Sequence, residues 1–247
     1  MSQTRQLVQE ETILGNTKMR CELMKKSIVI IMAYLLIIAP NKTGATIIGY
    51  DMIARSGKDD ISIYAKKIDN LYYDLKIDFK GSFVSRPFWM NVTNPTYAPK
   101  IKYEDINRDE KKELIIILTK GYGTGVLDEE VYVFEIDSNR FDEVLVDNPL
   151  AVILKNTKTR LTPTEANISI ADKQYVVDIS PVGIKPENVF KDIAFGGIVK
   201  YEVKNNHLIS RLTAQVSPAY SIGELIITYE YRDKMYQANS VYFKPYK

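Results

Sequence analysis

From Asp60 onward the apolar residues fall at alternate positions in short runs, and most runs are closed by Gly, Pro, Asn or Asp. A period of two with punctuation of this kind marks strands that bury one face, so it confines the chain to sheet architectures. The run Leu71 to Phe79 shows it best: Leu75, Ile77 and Phe79 fall on one face, Lys76 and Asp78 on the other. Ile61 to Tyr64 begins in the same way. Leu114 to Leu118 and Val131 to Ile136 are continuous apolar runs, short enough for strands buried on both faces. Asn205-Asn206 separates Ile198 to Val203 from Leu208 to Leu212, and Arg232-Asp233-Lys234 separates Leu225 to Tyr231 from Tyr236 to Phe243. Both read as hairpins. Pro87, Pro95 and Pro99 predict an irregular or edge-like segment over 86–100. Only residues 186–194 read as a short helix, with Pro186 and Glu187 suited to its first turn.

These signals predict a mainly β fold: two packed antiparallel sheets, sandwich or propeller-like, with at most one or two short helices. A soft break at Asn148-Pro149 divides a β region, 46–148, from a β-rich C-terminal half, 149–247, unless the two form one domain. The seventeen tyrosines are spread along strands, as half-buried sheet residues are.

The N-terminal segment has a different character. Lys25 and Lys26 follow Met24, Ile28 to Ala39 run without a charge, Pro40 breaks the run, and Thr43-Gly44-Ala45 supplies small residues. These are the three parts of a secretory signal. The apolar run is shorter than the ~20 residues of a spanning helix. The expectation is a signal peptide over 24–45, cleaved after Ala45 to give a secreted or extracytoplasmic protein. Residues 1–23 are then an upstream extension from an early start. An uncleaved leader, the only expected membrane contact, is the alternative.

Of 33 basic and 31 acidic residues, six and three lie in 1–45, which leaves 27 and 28 beyond it. A body this close to neutral has no basic footprint for nucleic acid. The only cysteine, Cys21, precedes the apolar segment, so the body has neither disulfides nor thiolate metal ligands.

One loop carries recognisable chemistry. Residues 105–114 read D-I-N-R-D-E-K-K-E-L and lead into I-I-I-L. Asp105, Asn107 and Asp109 are spaced by two, so a tight loop can converge their side-chain oxygens, and Glu113 can add a fourth ligand. Hard oxygen donors, three of them anionic, suit Ca²⁺; zinc is poorly served by a body with one histidine. The segment resembles the D-x-[DN]-x-D-G-x-x-[DE]-[LI] calcium loop of FG-GAP and VCBS-type repeats. The resemblance covers residues 101–131, with a hydrophobic strand after the loop and a glycine-rich turn beyond. It implies a backbone ligand at the Lys111 carbonyl and a structural role for the ion. The usual glycine at the sixth position is Glu110, so the turn there is made without glycine's freedom. The competing reading is a solvated polar loop without an ion.

Gly121-Tyr122-Gly123-Thr124-Gly125 follows a strand but lacks the Lys-Ser/Thr of a phosphate loop, and reads as a flexible connection. Asp128, Glu129 and Glu130 read as a solvated rim. The only histidine, His207, follows a hairpin turn, and no G-x-S-x-G, H-E-x-x-H or S-x-x-K motif is present. Trp89 is expected in the core. The sequence therefore points to an exported, non-catalytic β protein with a structural Ca²⁺, acting on a cell-surface or extracellular partner. The alternative is a carbohydrate-active or cell-wall hydrolase that uses a carboxylate pair.

Overall fold

A computed structural model describes residues 47–137 and 140–246. The expected extension, signal peptide and cleavage point lie outside these residues. Fifteen strands build three sheets among the described residues. The first sheet is a meander of β1 (Asp51–Ser56), β2 (Ile61–Ile68), β3 (Leu71–Phe79) and β4 (Ser82–Val92). In β3, Leu75, Ile77 and Phe79 are buried while Lys76 and Asp78 are half-exposed, the faces the alternation predicts. Lys80-Gly81 joins β3 to β4 with both residues at positive φ, 53° and 91°. This mirror-image turn matches the natural twist of the paired strands.

β4 is the edge strand of that sheet. Its register against β3 slips between the pairs Leu75–Arg86 and Tyr73–Met90, and Pro87 sits inside this bulge. A residue without an N–H is tolerated there. Residues 86–92 are thus bulged edge strand, and chain outside the strands is confined to the stretch around a 3-10 turn at Pro95–Tyr97.

The largest sheet has eight strands in the order β12-β13-β14-β15-β8-β7-β6-β5. They are β5 (Lys100–Glu104), β6 (Glu113–Gly123), β7 (Val126–Asp137), β8 (Arg140–Val146), β12 (Ala194–Lys204), β13 (His207–Ser217), β14 (Tyr220–Arg232) and β15 (Met235–Pro245). Two pairings are parallel, β15 with β8 and β12 with β7. The second closes β7, β8, β15, β14, β13 and β12 into a ring. Strands from both sides of residue 148 lie in this one sheet. Asn205-Asn206 (φ 52° and 59°) and Asp233-Lys234 (φ 51° and 64°) make two-residue turns, with Arg232 already paired to Met235 in the ladder. Residues 121–125 connect β6 to β7 as another tight hairpin, in which Gly123 pairs with Val126 around Thr124-Gly125.

β6 explains its own composition. Ile115 and Ile117 face a core inside the ring, whereas Leu114, Ile116 and Leu118 face the four-stranded sheet. A strand covered on both sides has no place for alternation. In the second core Trp89 is buried and stacks on Tyr132 at a centroid distance of 3.7 Å.

The third sheet, β9 (Thr157–Leu161), β10 (Glu165–Ile170) and β11 (Lys173–Asp178), places Ala166, Ile168 and Ile170 in the ring core. The one α-helix among the described residues is α1, Pro149–Asn156. Asn148 caps it by accepting the Ala151 N–H at 3.0 Å, with Pro149 in the first turn. The helix expected over 186–194 is only a 3-10 turn at Pro186–Asn188. Val189 is already extended, and the Phe190 N–H is drawn to the Val216 carbonyl on the way into β12.

Candidate metal centre

β5 and β6 are antiparallel neighbours whose last pair is Glu104–Glu113, so residues 105–112 must reverse the chain within one short loop. Ile106 is buried and anchors the loop in the ring core. The remaining reversal is made by side chains that stand in for backbone partners. Asp105 accepts the Arg108 N–H at 2.6 Å through Oδ1 and the Glu110 N–H at 3.2 Å through Oδ2. Asn107 Oδ1 accepts from Asp109 N–H at 2.9 Å, and Asp109 Oδ1 accepts from Lys111 N–H at 2.8 Å. This is the local bonding Asp and Asn supply in turns. Arg108 and Glu110 take positive φ values of 67° and 70°. Glu110 therefore holds the left-handed conformation that glycine adopts without strain.

The result is convergence. Carboxylate oxygens of Asp105, Asp109 and Glu113 lie within 4.8 Å of one another. Two oxygens on opposite sides of a Ca²⁺ stand about 4.6–5.2 Å apart, given bonds of 2.3–2.6 Å, so the three carboxylates fit around an ion of that size. Of the residues singled out by spacing, these three come together. Asn107 lies on the same loop with its oxygen turned to Asp109 N–H, and Lys111 is exposed next to Asp109.

Glu113 is the unusual member, being only 1% exposed. Its Oε2 accepts the Ile106 N–H at 2.8 Å. Burial pushes its pKa from 4.5 up to about 7, and the nearby Asp109 and Asp105 charges add to the rise. The backbone hydrogen bonds from Ile106 and Asn107 oppose it only in part. An opposite charge close to such a carboxyl group favours its ionised form. Tyr236, 1% exposed, has a hydroxyl without a hydrogen-bond partner among the described residues, and burial raises its pKa with help from Glu113.

The loop is also tied to a distant hairpin. Arg108 Nη2 stands 2.7 Å from His207 Nε2, whose Nδ1 lies 2.8 Å from the Asn205 carbonyl. A proton on Nδ1 satisfies both contacts, because Nε2 then accepts from the guanidinium. His207 thus serves as a strut between loop and hairpin, a contact that no local sequence signal announces.

The acids that follow the glycine-rich hairpin do not join the loop carboxylates. Asp128 is exposed, but Glu129, read from the sequence as rim, is 5% exposed. Its Oε1 is 2.6 Å from Lys100 Nζ and its Oε2 accepts the Tyr201 N–H at 2.8 Å. Burial is possible because both oxygens are paired. No family model matches the chain, and neither a curated protein nor a solved structure matches it.

Proposed function

We propose that this is an exported, non-catalytic β protein whose loop 105–113 holds one structural Ca²⁺, and that its exported part acts in binding at the cell surface or outside the cell. The convergence of the Asp105, Asp109 and Glu113 carboxylates at the β5–β6 turn is the observation that carries the calcium reading. Asn107 and the Lys111 carbonyl complete the proposed ligand set, and water fills the remaining positions. The role is structural because the ion would neutralise three close carboxylates at the end of β6, a strand that contributes to both cores. Export rests on the charged start, apolar run and small-residue exit over 24–45.

Two experiments test this reading. In the full chain, Ca²⁺ binding followed by calorimetry should be abolished by Asp109→Ala. It should survive Gly123→Ala, whose added Cβ meets only the Val126 Cβ at 4.0 Å. Equal binding by both variants would refute the site. N-terminal sequencing of protein recovered from the medium should begin at Thr46; protein found only in the cytosol with Met1 intact would refute export.

A further inference from the structure

One edge of β7 is paired at both ends but open in the middle. Leu127 and Asp128 pair with Ile198 and Val199 of β12, and pairing with β8 begins only at Val133. β6 runs along the other edge. Residues 129–132 therefore have no strand partner on this edge among the described strands. β8 and β12 diverge here, and between them lies a cleft of about 650 Å³. That volume falls in the ordinary range for small-molecule sites.

The cleft has two kinds of wall. Val126, Leu145, Leu150 and Val199 contribute apolar surface. Asp128, Glu129, Glu130 and Glu143 contribute four carboxylates against one lining cation, Lys120. Lys120 is engaged with Glu130 at 2.7 Å, Lys100 with Glu129 at 2.6 Å, and Arg86 lies 3.6 Å from Glu143. Asp128 alone of the four has no ion pair among the described residues.

A second observation is independent of these charges. Tyr201 lines the same cleft and is only 8% exposed, yet its hydroxyl has no hydrogen-bond partner among the described residues. Its oxygen is not sealed away from solvent, and the residue forms part of the cleft wall. Burial raises its pKa, and Tyr229, Glu130, Asp128 and Glu129 add to the effect, which sets those acids close to the ring. A mostly buried hydroxyl that no side chain or backbone group engages is free to pair with a molecule bound in the cleft.

Asp128 asks for a hydrogen-bond donor with positive charge, the Tyr201 oxygen can accept from the same donor, and the apolar wall asks for a short hydrocarbon. A bare metal ion fits less well: the only acidic trio close enough to grip one, among the described residues, is Asp105, Asp109 and Glu113. We propose that the seam between β7, β8 and β12 binds a small aliphatic ammonium compound, a primary amine or diamine. Its –NH₃⁺ bonds to Asp128 and the Tyr201 oxygen, and its chain lies on Val126, Leu145, Leu150 and Val199. This site is separate from the calcium loop and does not depend on it.

Calorimetric titration of the full chain tests the proposal, with pentylamine and 1,5-diaminopentane as probes and 1-pentanol and pentanoate as controls. The amines should bind saturably with Kd below about 1 mM, as ligands of this size can. The controls should bind at least about tenfold more weakly, since they lose the charge-assisted bonds. Tyr201→Phe and Asp128→Asn should each weaken amine binding about tenfold. Tyr201→Phe keeps the ring in the core and removes only an unpartnered oxygen, so its thermal midpoint should match the parent. Asp109→Ala should leave amine binding unchanged. The proposal is overturned if no amine saturates, if pentanol binds as tightly as pentylamine, if Tyr201→Phe keeps full affinity, or if Asp109→Ala removes the binding.

Discussion

Glu113 makes the stability of this protein depend on pH in a direction opposite to that of most carboxylates. Its folded pKa of about 7 lies above its ordinary 4.5. Between these values the unfolded chain releases the proton while the folded chain keeps it. Without metal, the contribution of Glu113 is therefore greatest below pH 4.5, falls as pH rises, and levels off above pH 7. Each pH unit in that window removes about 1.4 kcal/mol, on the order of 3 kcal/mol in all. The side chain is almost fully buried, so solvent screening does little to reduce this. Glu113→Gln keeps an oxygen for the Ile106 N–H but cannot ionise. Urea unfolding in a chelator, run from pH 4.5 to 7.5, should show the parent losing stability across the range relative to the variant. Adding saturating Ca²⁺ should reverse the trend, because the ion binds the carboxylate and its stabilisation grows as pH rises. A parent and variant that change in parallel in chelator would refute the assignment of a buried, neutral Glu113.

Other perturbations probe the loop and the sheet it caps. Glu110→Gly should relieve a left-handed residue, worth about 1–2 kcal/mol, against about 0.5–1 kcal/mol of added unfolded-state freedom; a thermal midpoint up by roughly 1–4 °C is the expected net effect. Lys111→Gly, at a neighbour with ordinary φ, should lower the midpoint instead. Ile116→Ala, fully buried between two sheets, should cost about 2–5 kcal/mol in urea unfolding, and a loss below 1 kcal/mol would contradict the central place given to β6.

Local signals located what local physics controls. The alternation in 71–79 and the continuous run at 114–118 identify a one-sided and a two-sided strand because each reports its own burial. The paired asparagines at 205–206 do the same for a turn. The run Leu150 to Leu154 defeats such reading: five apolar residues serve equally as a buried strand or a short helix. Only Asn148-Pro149, a cap followed by a first-turn proline, distinguishes the two. The ring closure was not legible at all, since β12 meets β7 and β15 meets β8 far apart in the chain. The burial of Glu129 shares that cause, its partners Lys100 and Tyr201 arriving from β5 and β12. At the loop, the spacing of Asp105, Asp109 and Glu113 announced the convergence. The spacing was silent on how deeply Glu113 is buried and on the strut from Arg108 to His207.

Thermal unfolding of the full chain in excess Ca²⁺, in excess Mg²⁺ and in chelator tests the calcium loop most directly. A ligand that binds only the folded state adds about 2.7 kcal/mol at a hundredfold excess over Kd, which for a domain of this size is a rise of roughly 5–10 °C. A calcium loop gives that rise with Ca²⁺, a much smaller one with Mg²⁺, and none with Ca²⁺ in Asp109→Ala. An unchanged midpoint at millimolar Ca²⁺, or an equal rise with Mg²⁺, would contradict it.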